Sequence, residues 1–331
     1  MKCAVIGAVK STGVLLRSLH RHGFSNIIVF GHSPRNKNLV SGWCDLNALS
    51  DELGYKYCSF QKITDCHSAL NDFQPEVLFV VGLSQIVPEN MLSIATKANV
   101  GFHPTALPAG RGRAAVAWLI LQQMNGAATF FSLRGGVDDG PIFVQEPFSV
   151  IEEDDAADVE AKILRAEERA LDKWLPRLKA GELFAYEQDH TCASWFGRRT
   201  PDDGEIDWRA PRLEILRLIR ASAPPHPGAF SYCGDIKLKL LKASLVDRPE
   251  TGVIGRILNV QSCGAFEIQA LDGLLLIEKW NASGDWAPKV GLKLGYYQDA
   301  EIFALRQRIS NLEKEIHSLK LQMSGGGNDI Q

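Results

Sequence analysis

The sequence has no long apolar run and no excess of positive charge, and these absences argue against two classes of protein. Its 331 residues carry 36 Lys and Arg against 39 Asp and Glu, for a formal net charge of −3. Because broad binding of nucleic acid needs a basic face, this balance disfavours a nucleic-acid partner. No run approaches the roughly 18 apolar residues of a membrane span, and the first residues lack a signal-peptide core. We therefore expect a cytoplasmic protein without a membrane partner.

The sequence also lacks the short motifs of disulfide, metal and phosphate-loop proteins. Its seven cysteines are odd in number and include no CxxC pair, which favours reduced thiols and no bound metal. Gly7 and Gly13 do not form GxGxxG, the dinucleotide-binding fingerprint. Gly13 is followed by Val14, where a P-loop would have Lys.

What the sequence does contain is an alternation of strand and helix patterns, followed by a change of pattern. Apolar runs at 2–7, 26–31, 76–83 and 100–103 alternate with segments of helical spacing, which predicts an α/β domain over 1–190. A polar, Gly- and Pro-marked segment at 191–206 is expected to be a linker. Short strands separated by turns then predict a small all-β module, a barrel or sandwich, over 207–298.

The C-terminal segment 299–323 has a heptad pattern. Steps of three and four residues separate its apolar positions, which are Ile302, Leu305, Ile309, Leu312, Ile316, Leu319 and Met323. Ile at a and Leu at d favour a parallel two-stranded coiled coil, in which each g residue faces the following e residue of the partner. Those pairs would be Glu301 with Arg306, Arg308 with Glu313, and Glu315 with Lys320, all opposite in sign. We predict a homodimer through 302–323, with a helix packed on its own module as the alternative and 324–331 as a flexible tail.

A titratable histidine stands at the end of one predicted strand, in the segment GFHPTALPAGRGR of residues 101–113. Ligands bind at the carboxyl ends of strands in open parallel sheets, and the loop RGGVDDGP of residues 134–141 supplies two adjacent Asp. If these loops converge, His103 and an Asp would share a cleft, and the carboxylate would favour the charged imidazole. That pair suits proton transfer. A structural histidine at a strand end is the alternative.

Several separated motifs, in order, resemble the N10-formyltetrahydrofolate-dependent formyltransferase family. They are LSQIVPENML, GFHPTALPAGRGRAAVAW, GVDDGPI and RRTPDDGEIDWRAP, with HPGAF further on. The resemblance covers nearly residues 1–285. The resemblance implies a Rossmann-like formyltransferase domain, a C-terminal OB-like β-barrel module and N10-formyltetrahydrofolate as co-substrate, without a metal.

The resemblance also implies roles for individual residues. His103 matches the family's catalytic His, Asp138 matches its catalytic Asp, and Gly101 stands where the family has an Asn that is thought to help hold the formyl oxygen. Losing one such donor costs on the order of 10²–10³ in rate. Either another donor replaces it, which is what we expect, or the enzyme is slow, or the protein is not a catalyst. The residues implied for folate are Leu83, Ser84, Gln85, Ile86, Val87, Gly136, Val137 and Asp138. Arg111 and Arg113 are either phosphate contacts for the substrate or exposed loop charges.

The substrate amine stays open at this point. The two-module layout is similar to formyltransferases that act on a nucleotide-linked amino sugar, which is the interpretation we favour. Methionyl-tRNA is the alternative, although the short segment 31–44 and the negative net charge disfavour it. A small-molecule amine such as hydroxyornithine is a further alternative, and a folate-binding or scaffolding protein without activity is the non-enzyme alternative.

Overall fold

A computed structural model describes residues 1–36, 42–296 and 298–325, with side chains described to residue 321 except at 298 and 299. Residues 37–41, in the short segment 31–44 considered above, lie outside the described part.

The N-terminal part of the chain is built on a seven-stranded sheet of order β3-β2-β1-β4-β5-β7-β8. Its first five members in that order run parallel, and β7 and β8 are antiparallel. Val, Ile, Leu and Phe dominate the central strands, which are buried on both faces. The strands of this part are β1 (Lys2–Gly7), β2 (Asn26–His32), β3 (Lys56–Phe60), β4 (Val77–Val81), β5 (Ala98–His103), β6 (Arg111–Gly112), β7 (Gly126–Ser132) and β8 (Ile142–Phe148).

Helices connect these strands and cover the sheet. They are α1 (Lys10–Arg21), α2 (Asn47–Glu52), α3 (His67–Phe73), α4 (Glu89–Leu92), α5 (Ala115–Leu121) and α6 (Ala156–Lys179). The long helix α6 begins after Asp155, whose side chain accepts hydrogen bonds from the backbone of Ala157 and Asp158. The parallel strands and their crossover helices confirm the predicted α/β, Rossmann-like class.

The C-terminal module contains a helix that the all-β prediction missed. Its elements are α7 (Arg212–Ser222), β10 (Ala229–Cys233), β11 (Ile236–Val246), β12 (Ile257–Val260), β13 (Phe266–Gln269) and β14 (Leu274–Ala282). The strands form an antiparallel sheet of order β10-β11-β14-β13-β12. Helix α7 buries Ile215, Leu216 and Ile219 in the core of this module. The prediction was wrong in this respect because these apolar residues follow the period of a helix.

Two arginines of α7 join the module to the N-terminal domain. Arg217 donates to Glu152 through Nε at 3.0 Å and Nη2 at 2.7 Å, and Arg220 donates to the backbone carbonyl of Glu152. The bidentate Arg217 contact lowers the pKa of the Glu152 carboxyl. The two modules therefore meet at a specific charged contact.

The C-terminal segment is a helix, α8 (Gln298–Gly325). Its heptad residues from Ile302 to Leu319 are 48–57% exposed. The apolar stripe is thus not covered by the described part of its own chain, which disfavours the alternative of a helix packed on its own module. The side chain of Met323 and all of 326–331 lie outside what is described, and the predicted tail begins inside the helix. No helix in the described ranges combines the length and apolarity needed to cross a bilayer.

Candidate active site

A cleft of about 1170 Å³ opens at the carboxyl ends of β4 and β5. The loops after these strands and the loop before β8 form its inner walls, and the starts of α1, α5 and α6 form its outer part. This is the edge where open α/β sheets place their ligands. Of the residues implied by the resemblance, those that line the cleft are Leu83, Ser84, Gln85, Ile86, Val87, Gly101, His103, Arg113, Gly136, Val137 and Asp138.

His103 and Asp138 meet in this cleft. The His103 side chain is 8% exposed, and its Nδ1 lies 3.6 Å from Oδ2 of Asp138. Its Nε2 lies 2.8 Å from the carbonyl oxygen of Gly110. Because a carbonyl oxygen only accepts, Nε2 carries the hydrogen, and Nδ1 of the neutral ring presents a lone pair beside the carboxylate. The histidine is therefore oriented to take a proton at Nδ1, where the Asp138 charge stabilises the imidazolium.

Asp138 is held by contacts to its side chain and to its backbone. Its Oδ2 accepts a hydrogen bond of 2.8 Å from the backbone N–H of Gly112. Its backbone has φ of +50°, a left-handed conformation that non-glycine residues adopt at a cost. The side chain of Gln188 donates to the carbonyls of Asp138 at 2.9 Å and Gly140 at 2.7 Å. These contacts fix the turn that presents the carboxylate to His103.

Arg111 does not line the cleft, so it is neither the substrate contact nor the exposed loop charge that the sequence suggested. It is 3% exposed, and its guanidinium donates to Oε1 of Gln188 at 2.7 Å and contacts Nδ1 of His190 at 3.1 Å. Its charge is also close to the ring of Trp195, at 5.8 Å from the centroid. Burial commits this guanidinium to partners inside the protein, so of the two arginines Arg113 alone remains a candidate for substrate contact.

The segment predicted as a linker takes part in building the site. Its strand β9 (Trp195–Phe196) pairs with β6 in the loop that follows His103. Ser194 accepts a hydrogen bond of 2.9 Å from the backbone N–H of Gly110, the residue whose carbonyl orients His103. The segment thus braces the loop after His103 in addition to connecting two domains.

Gly101 leaves no room for the asparagine that the family has there. A Cβ at this position would lie 2.7 Å from Cδ2 of Leu133 and 2.8 Å from Cζ of Phe131, both below normal contact distance. These two apolar side chains fill the space next to the strand. An asparagine at this position would therefore require Leu133 or Phe131 to move.

The loop from Leu83 to Val87 offers its backbone to a ligand. The side chain of Gln85 is used internally, because its Oε1 accepts from Ile63 N–H at 2.8 Å and its Nε2 donates to the Gln61 carbonyl at 2.9 Å. Ile86 is 90% exposed at the rim of the cleft. A braced loop with an exposed apolar rim suits a flat, partly apolar ligand.

The outer part of the cleft carries charged groups. Lys10 at the start of α1 pairs with Glu160 of α6 at 2.6 Å. Arg113 is exposed and donates to the carbonyl of Ser84 at 3.0 Å, which ties together two walls of the cleft. His226, from the C-terminal module, also lines this part. Both modules therefore contribute to the end of the cleft that faces solvent.

Sequence reasoning missed several residues of the site, chiefly Gln188, Ser194, Asn99 and His226. Gln188 and Ser194 reach the site from in and beside the segment that was predicted to be a linker. Asn99 stands two residues before Gly101, and strand alternation places both on one face with His103, a signal that was available from the sequence. In the described ranges, no group of three or more His, Cys, Asp or Glu is placed to hold a metal ion.

Comparisons with known proteins agree with this architecture. Two family models match the chain, formyl transferase over residues 51–175 and the formyl transferase C-terminal domain over residues 198–286. An N-formyltransferase from Helicobacter canadensis, solved with folinic acid and dTDP-3-aminofucose, is similar with a TM-score of 0.65 and 18% identity. That match covers 84% of this chain and 98% of the other.

Two further solved structures share the fold. HypX from Aquifex aeolicus, solved with tetrahydrofolic acid, matches at TM-score 0.61 and 15% identity over 88% of this chain and 46% of that one. A methionyl-tRNA formyltransferase from Clostridium thermocellum matches at TM-score 0.51 and 21% identity. That match covers 74% of this chain and 94% of the other. At these identities the likeness establishes the fold.

Proposed function

The chain belongs to the formyl transferase family of folate-dependent enzymes, and we propose that it formylates the amine of a nucleotide-linked amino sugar. N10-formyltetrahydrofolate would supply the formyl group. The observation that carries this proposal is the meeting of His103 and Asp138 in a cleft whose inner end suits a folate and whose outer end carries cationic groups.

The residues of the inner cleft fit a reduced pterin. Val80, Val87, Leu92, Phe131 and Leu133 provide apolar walls, and the loop 83–87 provides backbone groups. The bound folate would present its formyl carbon to the amine. The resemblance implies that Asp138 meets the pterin from the side opposite that loop.

His103 would perform the proton transfer that the reaction requires. When the amine nitrogen bonds to the formyl carbon, Nδ1 of His103 accepts the proton that the nitrogen sheds. Asp138 stabilises the imidazolium formed in this step. His103 then returns the proton to N10 as the bond between N10 and the carbon breaks, so that the products are a formamide and tetrahydrofolate. Asp138 and the Gly110 carbonyl hold the ring in one orientation throughout.

The outer cleft supports a phosphate-bearing substrate. Lys10, Arg113 and His226 lie there, with Glu160 as a carboxylate partner of Lys10. Cationic side chains such as Lys10 and Arg113 bind a diphosphate, while the amino sugar would extend inwards to His103. The Helicobacter canadensis protein was solved with a dTDP-linked amino sugar, and the match to this chain extends over nearly the whole length of that protein. A tRNA substrate would call for more phosphate neutralisation than a chain of net charge −3 provides.

The experiment is to incubate the protein with N10-formyltetrahydrofolate and a panel of amino nucleotide sugars, and to follow the sugars by mass spectrometry. We expect one sugar to gain a single formyl group. Parallel reactions with methionyl-tRNA and with hydroxyornithine distinguish the alternatives. If methionyl-tRNA or hydroxyornithine were formylated and no sugar were, the substrate assignment would be refuted. If the protein bound folate and formylated none of these compounds, the proposal that it is an enzyme would be refuted.

We also propose that α8 forms a parallel coiled coil with a second copy of the chain. The exposed stripe from Ile302 to Leu319 has the heptad spacing, and the flanking g and e residues are complementary in charge between two parallel copies. An isolated helix of three heptads is marginal in water, so association would stabilise it.

The oligomeric state can be tested at two a positions. Light scattering should give a dimer for the wild type and a monomer for Ile309→Lys combined with Ile316→Lys. A control with the same added charge, Gln307→Lys combined with Asn311→Lys, changes f and c positions and should stay dimeric. A monomeric wild type, or a dimer that survives both a-position changes, would reject the coiled coil.

A further inference from the structure

Asn99 is a polar residue at the inner end of the cleft, in otherwise apolar surroundings. It lies in β5, and the alternation of the strand places it on the same face as Gly101 and His103. It lines the cleft together with both of them. His103 follows Asn99 by four positions in the strand, which places their Cα atoms about 13 Å apart.

The amide of Asn99 is incompletely satisfied. Its Oδ1 is buried and has no hydrogen-bond partner among the described residues. The cleft lining includes a set of apolar side chains that offer no donor: Val80, Val87, Leu92, Phe131 and Leu133. A buried polar atom without a partner is unusual, because it loses water without gaining a replacement. An explanation is that a ligand brings the missing donor.

The chemistry of an amide restricts what that ligand group can be. A carboxamide accepts at its oxygen and donates at its nitrogen, so it complements a group with one N–H and one C=O side by side. The lactam edge of a 2-amino-4-oxopyrimidine, with N3–H and the 4-oxo group, has that pattern. It belongs to the pterin ring, whose opposite end leads through a methylene to the formyl-bearing nitrogen.

We propose that Asn99 pairs with the lactam edge of the pterin and so sets the depth at which the formyl carbon stops beside His103. This inference rests on the proposed function, because it assumes that the cleft binds a formylfolate. The span from Asn99 to His103 suits a bicyclic ring and its linker, with one polar contact at each end. Between the two, the side chains of Leu133 and Phe131 lie over Gly101 and give the ring an apolar wall.

The test measures binding of folinic acid, a stable folate, to the wild type and to Asn99→Leu by titration calorimetry. Leu keeps the branching of the Asn side chain and removes its polar atoms. We expect the Kd to rise about 10- to 100-fold, as for the loss of two hydrogen bonds in a desolvated site. The unfolding temperature without ligand should rise or stay constant, because the variant removes a buried oxygen that has no partner.

A ligand change keeps the test independent of how the variant folds. Wild type and Asn99→Leu are compared on a 2-amino-4-oxoquinazoline folate analogue and on its counterpart without the 4-oxo group. Wild type should prefer the oxo compound, and Asn99→Leu should bind the two with Kd values within about twofold of each other.

Each outcome bears on one of the two proposals. If the wild type binds no folate compound, the proposed function fails. If the wild type binds and Asn99→Leu binds equally well, or keeps the preference for the oxo compound, the role of Asn99 is refuted while the proposed function stands. A variant with normal Kd but lower unfolding temperature would show a structural asparagine and also overturn the inference.

Discussion

Replacing Gln188 by Leu would remove the side chain that connects the turn of Asp138 to the buried Arg111. The wild-type amide accepts two hydrogen bonds from the guanidinium, at 2.7 and 3.3 Å, and donates one each to the carbonyls of Asp138 and Gly140. Gln188 is 5% exposed, so water would not readily replace it. The change therefore leaves buried donors and acceptors without partners.

The magnitude follows from those contacts. Leaving a buried cation without its acceptor and two carbonyls without their donors costs about 2–5 kcal/mol of unfolding free energy. For a domain of this size that corresponds to a fall of about 5–15 °C in the unfolding temperature. Displacing the carboxylate of Asp138 from His103 by about 1 Å would lower kcat on the order of 100-fold. The KM for either substrate should change less, because Gln188 does not line the cleft.

Gln188→Glu separates the two effects. A carboxylate accepts from Arg111 but cannot donate to the carbonyls of Asp138 and Gly140. We expect this variant to regain much of the stability and to remain poor in kcat. Gln122→Leu, at an exposed site at the end of α5, serves as the control and should match the wild type in both measurements.

The assays are thermal unfolding by circular dichroism and steady-state formyl transfer at saturating substrates. A Gln188→Leu variant that loses stability but keeps wild-type kcat would show that the network supports the fold alone. Wild-type kcat in Gln188→Glu would contradict the positioning role directly.

Two further predictions concern single buried positions. Gly101→Asn, which restores the family residue, should lower kcat relative to the wild type and not raise it, because its Cβ would press on Leu133 and Phe131. An increase in kcat would disprove the claim that Leu133 and Phe131 leave no space for an asparagine at position 101. Glu167 is fully buried in α6, and burial raises the pKa of its carboxyl well above the ordinary 4.5. The stability that this proton confers is complete below pH 4.5 and is lost as the pH rises through the raised pKa. The free energy of unfolding of Glu167→Gln, measured with urea, should therefore increase relative to that of the wild type from pH 5 to pH 9. If the two free energies changed in parallel with pH, a buried carboxyl with a raised pKa would be rejected.

The sequence predicted that His103 and Asp138 share one cleft because local motifs carry both residues. His103 and Asp138 belong to short patterns at strand ends, and the parallel sheet brings such ends together. The strands with continuous apolar runs, such as β1 and β4, were predicted for the same reason. Elements with weak patterns, such as β3 at an edge of the sheet, were not.

The rest of the site depends on contacts that no local pattern encodes. Gln188 reaches Arg111 and Asp138 across 77 and 50 residues of sequence, and Ser194 reaches Gly110 across 84. A sequence does not reveal whether an arginine is buried, so Arg111 was interpreted as a possible phosphate contact. The side-chain oxygen of Asn99 lacks a partner among the described residues, and a sequence cannot show that.

The most direct test of the central claim is the rate of formyl transfer by His103→Ala and by Asp138→Asn, each checked for folding by its unfolding temperature. If Nδ1 of His103 takes the proton beside Asp138, both variants should retain their fold and their folate affinity and lose at least about 100-fold in kcat. Folded variants of both residues that transfer the formyl group at the wild-type rate would contradict the account.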